Sequence, residues 1–386
     1  MRRLVALALV VAALTAACGS PILANPPVSR PEPTPSPSRT PPPADPRPMT
    51  FPADDAPHYR LSEWWYNTGH LDDEAGGTWG FEYVVFRAER GGFPVTWASH
   101  LALTDESGGR FYYAERAEIG PQVDARPGGA TTPGFAVAIR GADPADPATF
   151  VRDPWLMAGV DGRDRLSASV PEAEVHGDPV AGFGLALDLA AAKPPALHDL
   201  DGWVDFGPAG GSYYYSRTSM PASGAITVGD RELAVTGTAW FDHQWGDFIA
   251  VGAGGWDWFA INLEDGREIT LSLVRAADGT YPLVYGSLVE RDGTVRRLGE
   301  TDFTVSVTDR WTSPATGATY PSRWRVSVPG EALELVLEPT VPQQELDTRA
   351  TTGVDYWEGS QRVTGTSAGT PITGRGYVEL TGYAGE

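Results

Sequence analysis

One cysteine, Cys18, serves all 386 residues, so no disulfide can form within the chain. Basic residues are also scarce. There are 29 Lys and Arg against 50 Asp and Glu, a formal net charge of −21, and no basic run exceeds two residues. That balance excludes a nucleic-acid partner and fits a surface kept soluble by repulsion. Histidine is rare, with six in all. His70, His100 and His243 lie far apart and show no short ligand spacing, so neither a metal nor a cofactor is expected. No Gly-rich phosphate loop is present, which excludes nucleotide chemistry of that kind. Beyond the first residues no apolar run is long enough to span a bilayer as a helix. Nor does any window of helical period exceed two turns; Asp188 to Ala192 is at most a single helical turn at a strand end.

What is there begins with an export signal. Met1-Arg-Arg3 is a basic start, Leu4 to Leu14 an apolar run, and Thr15-Ala-Ala-Cys18 a close of small residues. The sole cysteine after Leu14-Thr-Ala-Ala17 resembles a lipobox, which makes 1–18 a lipoprotein signal and Cys18 an acylated anchor. Residues 19–50 then change character. Twelve prolines from Pro21 to Pro48, among Ser, Thr, Arg and Ala, cannot build a core and favour an extended tether of ~3.1 Å per residue. Anchor and tether together predict an extracytoplasmic protein held to the membrane by acyl chains.

The body from Phe51 onward is long enough for two domains with their own cores. Short alternating runs recur between Gly and Asp turns: Trp79 to Arg87, Phe111 to Glu115, Phe135 to Ile139 and Gly184 to Leu189. The second half adds Trp256 to Leu263, Glu268 to Arg275, Leu283 to Glu290 and Leu333 to Pro339, among others. Glu264-Asp-Gly266 and Arg291-Asp-Gly293 read as hairpin turns. The fold expected is all-β, with antiparallel strands closed into barrels or sandwiches.

The chemistry concentrates at Gly237-Thr-Ala-Trp-Phe-Asp-His-Gln-Trp-Gly-Asp247. If Trp240 onward is extended, Phe241, His243 and Trp245 share one face, and Asp242 and Gln244 the other. An imidazole between two aromatic rings beside an acid is a candidate proton-transfer site. The plainer alternative is a polar corner in which Asp242 caps a turn. Two more acids lie on apolar faces: Glu82 with Val84 and Phe86, and Asp257 with Phe259 and Ile261. Each must be paired, for example to Arg87 or Arg275, or else be protonated.

Several of these stretches carry a resemblance. Ser62-Glu-Trp-Trp-Tyr-Asn-Thr-Gly-His-Leu71, Ser99-His-Leu-Ala-Leu-Thr-Asp105, Gly211-Ser-Tyr-Tyr-Tyr-Ser216, the Gly237 to Asp247 stretch, Tyr356-Trp-Glu-Gly359 and Gly374 to Tyr383 follow one another as in the AttH/CrtC family. That family is lipocalin-like and includes carotenoid hydratases. The resemblance implies two tandem lipocalin-like antiparallel β-barrel domains, 51–230 and 231–386. It also implies an apolar or amphiphilic ligand, a small molecule or lipid. The expected lining is Glu63, Trp64, Trp65 and Glu82 in the first domain with Tyr215, Trp240, Trp245 and Trp258 towards the second.

Two functions follow from the resemblance. One is a tethered binding protein that serves an export-type ABC transporter, and the sequence leans this way. The other is an enzyme of hydro-lyase or isomerase type that acts on a polyene or isoprenoid-like substrate, with His243 and either Asp242 or Asp257 as the catalytic groups. His243 and Trp245 fall on the hydratases' His-x-Trp. The hydratases' Tyr-x-Asp aligns with Thr270 and Ser272, neither of which can protonate an alkene.

Overall fold

The computed structural model describes residues 45–143, 146–150, 153–248 and 253–384. The expected anchor Cys18 lies outside them. Two large antiparallel sheets account for nearly all of the body. The first runs Arg110–Ile119, Thr96–Asp105, Thr78–Ala88, Ser62–Asp73, Arg231–Gly246, Gly211–Val228, Phe183–Ala190 and on through Arg163–Val170, Trp155–Val160 and Phe135–Ile139. The second is centred on Glu268–Ala276, Ala253–Leu263, Thr370–Thr381 and Asp355–Ser367, flanked by Leu283–Val289 and Leu333–Pro339. Each sheet curls around its own core, as two tandem lipocalin-like domains require. Trp65, Phe81, Phe241 and Trp245 fill the first core, and Phe259, Leu271, Trp324 and Trp357 the second.

The pattern of burial locates the joint between them. In Thr319–Val328, buried Trp324 and Val326 alternate with exposed Arg323 and Arg325, as in a strand with one wet face. In Ser62–Asp73, Thr78–Ala88 and the first half of Asp355–Ser367, buried residues run almost unbroken. These strands turn one face to their own core and the other to the neighbouring sheet. Tyr66, Val84 and Trp240 of the first sheet meet Trp258, Ala260 and Tyr377 of the second.

Three expectations need correction. The boundary does not fall at 230/231. Arg231–Gly246 pairs with Ser62–Asp73 on one side and Gly211–Val228 on the other, so the first sheet extends to Gly246 and the second begins at Ala253. Ordered chain starts before Phe51. The Arg47 N–H donates to the Tyr213 hydroxyl at 2.7 Å, its guanidinium holds Asp54, and Met49 packs on the first core. Finally, Asp188 to Ala192 makes no helical turn. Phe183–Ala190 stays extended because Val228 to Ala222 and Val170 to Arg163 pair along its two edges.

Candidate active site between the two sheets

The central stretch is a strand, not a corner, and its alternation holds. Phe241, His243 and Trp245 enter the first core, while Asp242 turns into the joint between the sheets. The predicted site residues therefore divide among three places. Glu63, Trp65, Tyr215, His243 and Trp245 lie inside the first barrel. Trp64, Glu82, Trp240, Asp242 and Trp258 lie in the joint. Asp257 faces the second core, where Arg275 binds it at 2.8 Å and the Tyr383 hydroxyl donates to it. Burial raises the Asp257 carboxyl above its usual range even so. His243 and Asp242 are thus on opposite sides of one sheet, and Asp257 is in another domain. The three expected catalytic groups do not form one site. Thr270 and Ser272 face the joint, away from His243, because they alternate with core-facing Ile269 and Leu271.

The joint instead gathers acids from four strands. Glu82 comes from Thr78–Ala88, Asp242 from Arg231–Gly246, Glu358 from Asp355–Ser367 and Glu379 from Thr370–Thr381. The Tyr356 hydroxyl donates to Glu82 Oε1 at 2.9 Å, and the Tyr66 hydroxyl to Glu358 Oε1 at 2.7 Å. The other oxygen of each carboxyl, Oε2, is buried and has no hydrogen-bond partner among the described residues. Loss of water destabilises the charged form, and the acids repel one another. Burial, helped by Glu379, pushes Glu82 up to about 8. Burial, with Glu82 and Glu379 beside it, raises Glu358 well above the carboxylate range. Both are therefore carboxylic acids near neutral pH, and each proton belongs on the unpartnered Oε2.

Asp242 is built differently. Its Oδ2 accepts from the Tyr214 hydroxyl at 2.5 Å; its Oδ1 accepts from the Trp240 indole at 2.7 Å and from Ser216. Burial outweighs these donors and lifts it to about 7. Among the described residues Glu379 has a single donor, the Trp256 indole at 3.0 Å, and burial lifts it to about 7 as well. Aromatic rings pack beside the acids. Tyr66 and Trp258 meet edge to face at 5.2 Å, and Trp240 and Trp258 at 6.1 Å.

A chain of hydrogen bonds leads out from Glu82. Tyr356 OH lies 2.8 Å from His100 Nδ1, His100 Nε2 lies 3.0 Å from Thr351 Oγ1, and Thr351 Oγ1 meets Glu115. Burial drives the His100 imidazole down to about 3, so it is neutral and can accept on one nitrogen while donating from the other. Glu115, less buried, is raised by desolvation to about 7. On the other side a groove of about 570 Å³ opens between the sheets, lined by His70, Asn262, Gln361 and Arg375 among others. Tyr377 stands between groove and acids. Its ring lies 5.4 Å from His70, and its hydroxyl lies in the field of Glu358 and Glu82.

This pairing of sheets is shared. An AttH-like family model matches residues 42–383. The chain belongs to the AttH-like family. The crystal structure of an AttH from Nitrosomonas europaea is 30% identical, with a TM-score of 0.72, over 87% of this chain and 98% of that one. The kievitone hydratase of Nectria haematococca is 17% identical with a TM-score of 0.62, over 86% of this chain and 93% of that one, a likeness of fold. No curated protein matches.

Sequence reasoning missed Glu358, Glu379, Tyr66 and His100. Glu358 and Tyr356 sit in the Tyr356-Trp-Glu-Gly359 stretch that carried the resemblance, and an acid directly after two aromatic residues there was the available signal. One motif can be set aside. Gly365-Thr-Ser-Ala-Gly369 has the spacing of a nucleophile elbow, but it is the turn of a β-hairpin, and Ser367 accepts from Arg267 at 2.8 Å.

Proposed function

We propose that this AttH-like protein is an acid–base enzyme of hydro-lyase or isomerase type. It acts on an isolated double bond of an apolar or amphiphilic molecule held between the sheets, and it works outside the cytoplasm on a tether acylated at Cys18. The observation that carries the chemistry is the pair Glu82 and Glu358: two buried carboxylic acids, each with a bare oxygen, among aromatic rings. A binding protein has no use for such acids, whose burial costs stability. An enzyme that protonates carbon needs them.

The steps follow from the groups present. A proton from Glu82 or Glu358 goes to one alkene carbon, and the π pair forms the new C–H bond. The faces of Trp258, Trp240 and Tyr66 favour the cation left on the other carbon. Loss of a neighbouring proton to the carboxylate just formed gives the isomer. Attack by water gives the alcohol, and Glu379, with one donor against Asp242's three, takes the water's proton. Glu115, Thr351, His100 and Tyr356 return a proton to Glu82 at Oε1, and a half-turn of the carboxyl carries it to the unpartnered side. The groove beside Tyr377 is the entrance. That a hydratase, by its name, has this fold makes addition of water the reaction to try first.

The test is deuterium uptake. Wild type is incubated in D₂O with a panel of isoprenoid and polyene alkenes, and both alkene and alcohol are analysed by mass spectrometry. Wild type should place deuterium on carbon, and Glu82→Gln with Glu358→Gln should not. An alkene that wild type binds but leaves free of deuterium would establish a carrier instead. Labelling cells with an alkyne fatty acid checks the tether: wild type should be tagged and Cys18→Ala should not.

A further inference from the structure

We propose that His58, Glu63 and His243, inside the first barrel and apart from the acids of the joint, bind one divalent transition-metal ion with the ligand preference of zinc. The ion would pin the amino-terminal strap, Asp45 to Arg60, into the barrel.

The geometry points there in four ways. First, the ligand atoms converge. His58 Nδ1 and His243 Nε2 each lie 2.9 Å from the same oxygen, Glu63 Oε1, and all three atoms fall within 4.8 Å of one another. A tetrahedral ion with bonds of ~2.0 Å sets its ligands about 3.3 Å apart, so the two short separations need only a few tenths of an ångström of opening. Second, the far nitrogens are already engaged. His58 Nε2 lies 3.2 Å from Asp54 Oδ1, and His243 Nδ1 lies 3.4 Å from the Tyr215 hydroxyl, which donates to Asp55. A ring proton on each far nitrogen leaves the near nitrogen as a lone pair aimed at the common point, and such partners are what orients metal-bound histidines. Third, the Glu63 carboxylate is fixed in place: the His58 backbone N–H reaches both its oxygens, at 3.0 and 2.9 Å, and the Arg87 guanidinium stands 3.7 Å from Oε2. Fourth, the rings cannot swing. His58 lies flat on Trp245 at 3.8 Å, and His243 is stacked on Trp65 at 4.8 Å.

Two imidazoles and one carboxylate suit zinc or a similar borderline ion over magnesium or calcium, which favour oxygen shells. His58 comes from the strap, and Glu63 and His243 from two paired strands of the wall. The ion would therefore join a segment that follows the proline-rich tether to the barrel it closes. Without an ion, His58 is held between Asp54 and Glu63 by hydrogen bonds alone.

Untagged full-length protein, stripped with EDTA and dialysed, is titrated with ZnCl₂. Bound metal is counted by plasma mass spectrometry, and Co²⁺ in place of Zn²⁺ is read by its visible absorption. Wild type should hold one ion per chain, show the intense bands of a four-coordinate cobalt site, and melt at a higher temperature with Zn²⁺ than with EDTA. His58→Gln, on the strap and tolerable to the fold, should bind at least tenfold more weakly. His176→Gln, an exposed histidine elsewhere on the first sheet, should bind like wild type. Zinc retention below one equivalent with a melting point indifferent to zinc and EDTA overturns the proposal, as does equal affinity in His58→Gln. Neither result touches the acid chemistry of the joint, which uses none of these residues.

Discussion

The Tyr356 hydroxyl of the second sheet donates to Glu82 of the first at 2.9 Å, across 274 residues of sequence. One contact thus ties the two barrels together and fixes which oxygen of Glu82 is left to carry a proton. Stability and chemistry share the same atoms here. A joint built from apolar side chains alone would hold the sheets at lower cost, so the acids are a burden the fold carries.

That burden has a sign. Glu82 rises from the ordinary range of an unfolded chain, 4.5, to about 8 in the fold. Between those values the native state keeps a proton that the unfolded state releases. Stability is therefore full below about pH 4.5 as far as this group is concerned, and falls as pH climbs towards 8. A shift of this size is worth on the order of a few kcal/mol. Glu82→Gln keeps the shape and removes the titration, so its urea midpoint should fall less between pH 5 and pH 8 than that of wild type. Parallel curves for the two proteins would show that Glu82 does not titrate this way.

The relay makes a kinetic prediction. His100→Phe and Thr351→Val cut the path between Glu115 and Glu82 while leaving the acid itself in place. After a pH jump, the carboxylic C=O band in the infrared should relax more slowly in both variants than in wild type, and Glu82→Gln should lose that component. Unchanged relaxation in His100→Phe would mean that protons reach Glu82 by another route.

Much of the fold was legible because its signals are local. Alternation located most strands, Gly266 and Gly293 marked true hairpins with φ of 82° and 88°, and the facing of Asp242 against His243 followed from a period of two. The site was less legible because it is assembled from distant strands. Glu82 was visible as an acid on an apolar face. Nothing beside it in sequence shows that this face meets Glu358. Likewise no spacing announces His58 beside His243, since a strap and a wall strand meet only after folding. The boundary error has the same root. Arg231–Gly246 follows the expected junction in sequence, but its pairing partners all belong to the first sheet.

Gly80 is predicted to be intolerant of a side chain. An added Cβ would lie 2.5 Å from the Tyr377 hydroxyl and 2.8 Å from Ser360 Cβ, across the joint. Gly80→Ala should therefore cost about 1–3 kcal/mol, the usual range for overpacking, and displace Tyr377 from its place against His70. Gly92→Ala is the control, since no described residue lies within 4 Å of the new atom. Equal denaturation midpoints for the two variants would contradict the packing described for Tyr377.

The last prediction separates the two interiors. Trp245 and Trp258 are both buried, and the sequence assigned both to one ligand site. The structure assigns Trp245 to the first core, flat against His58 of the strap, and Trp258 to the joint, with its indole donating to Tyr214 at 3.0 Å. Removing either ring leaves a cavity and should cost ~3–5 kcal/mol by that route alone. The consequences should differ. Trp245→Ala takes away the surface on which His58 rests, so the strap should loosen, and limited proteolysis should cut between Asp45 and Arg60 while both sheets survive. Its joint is untouched, and uptake of an apolar dye there should stay near wild type. Trp258→Ala should keep the strap protected and change dye uptake, because the missing ring opens space beside Glu358 and Asp242. Swapped outcomes, with a cut strap in Trp258→Ala and altered uptake in Trp245→Ala, would put the ligand inside the first barrel, where the acids of the joint could not reach it.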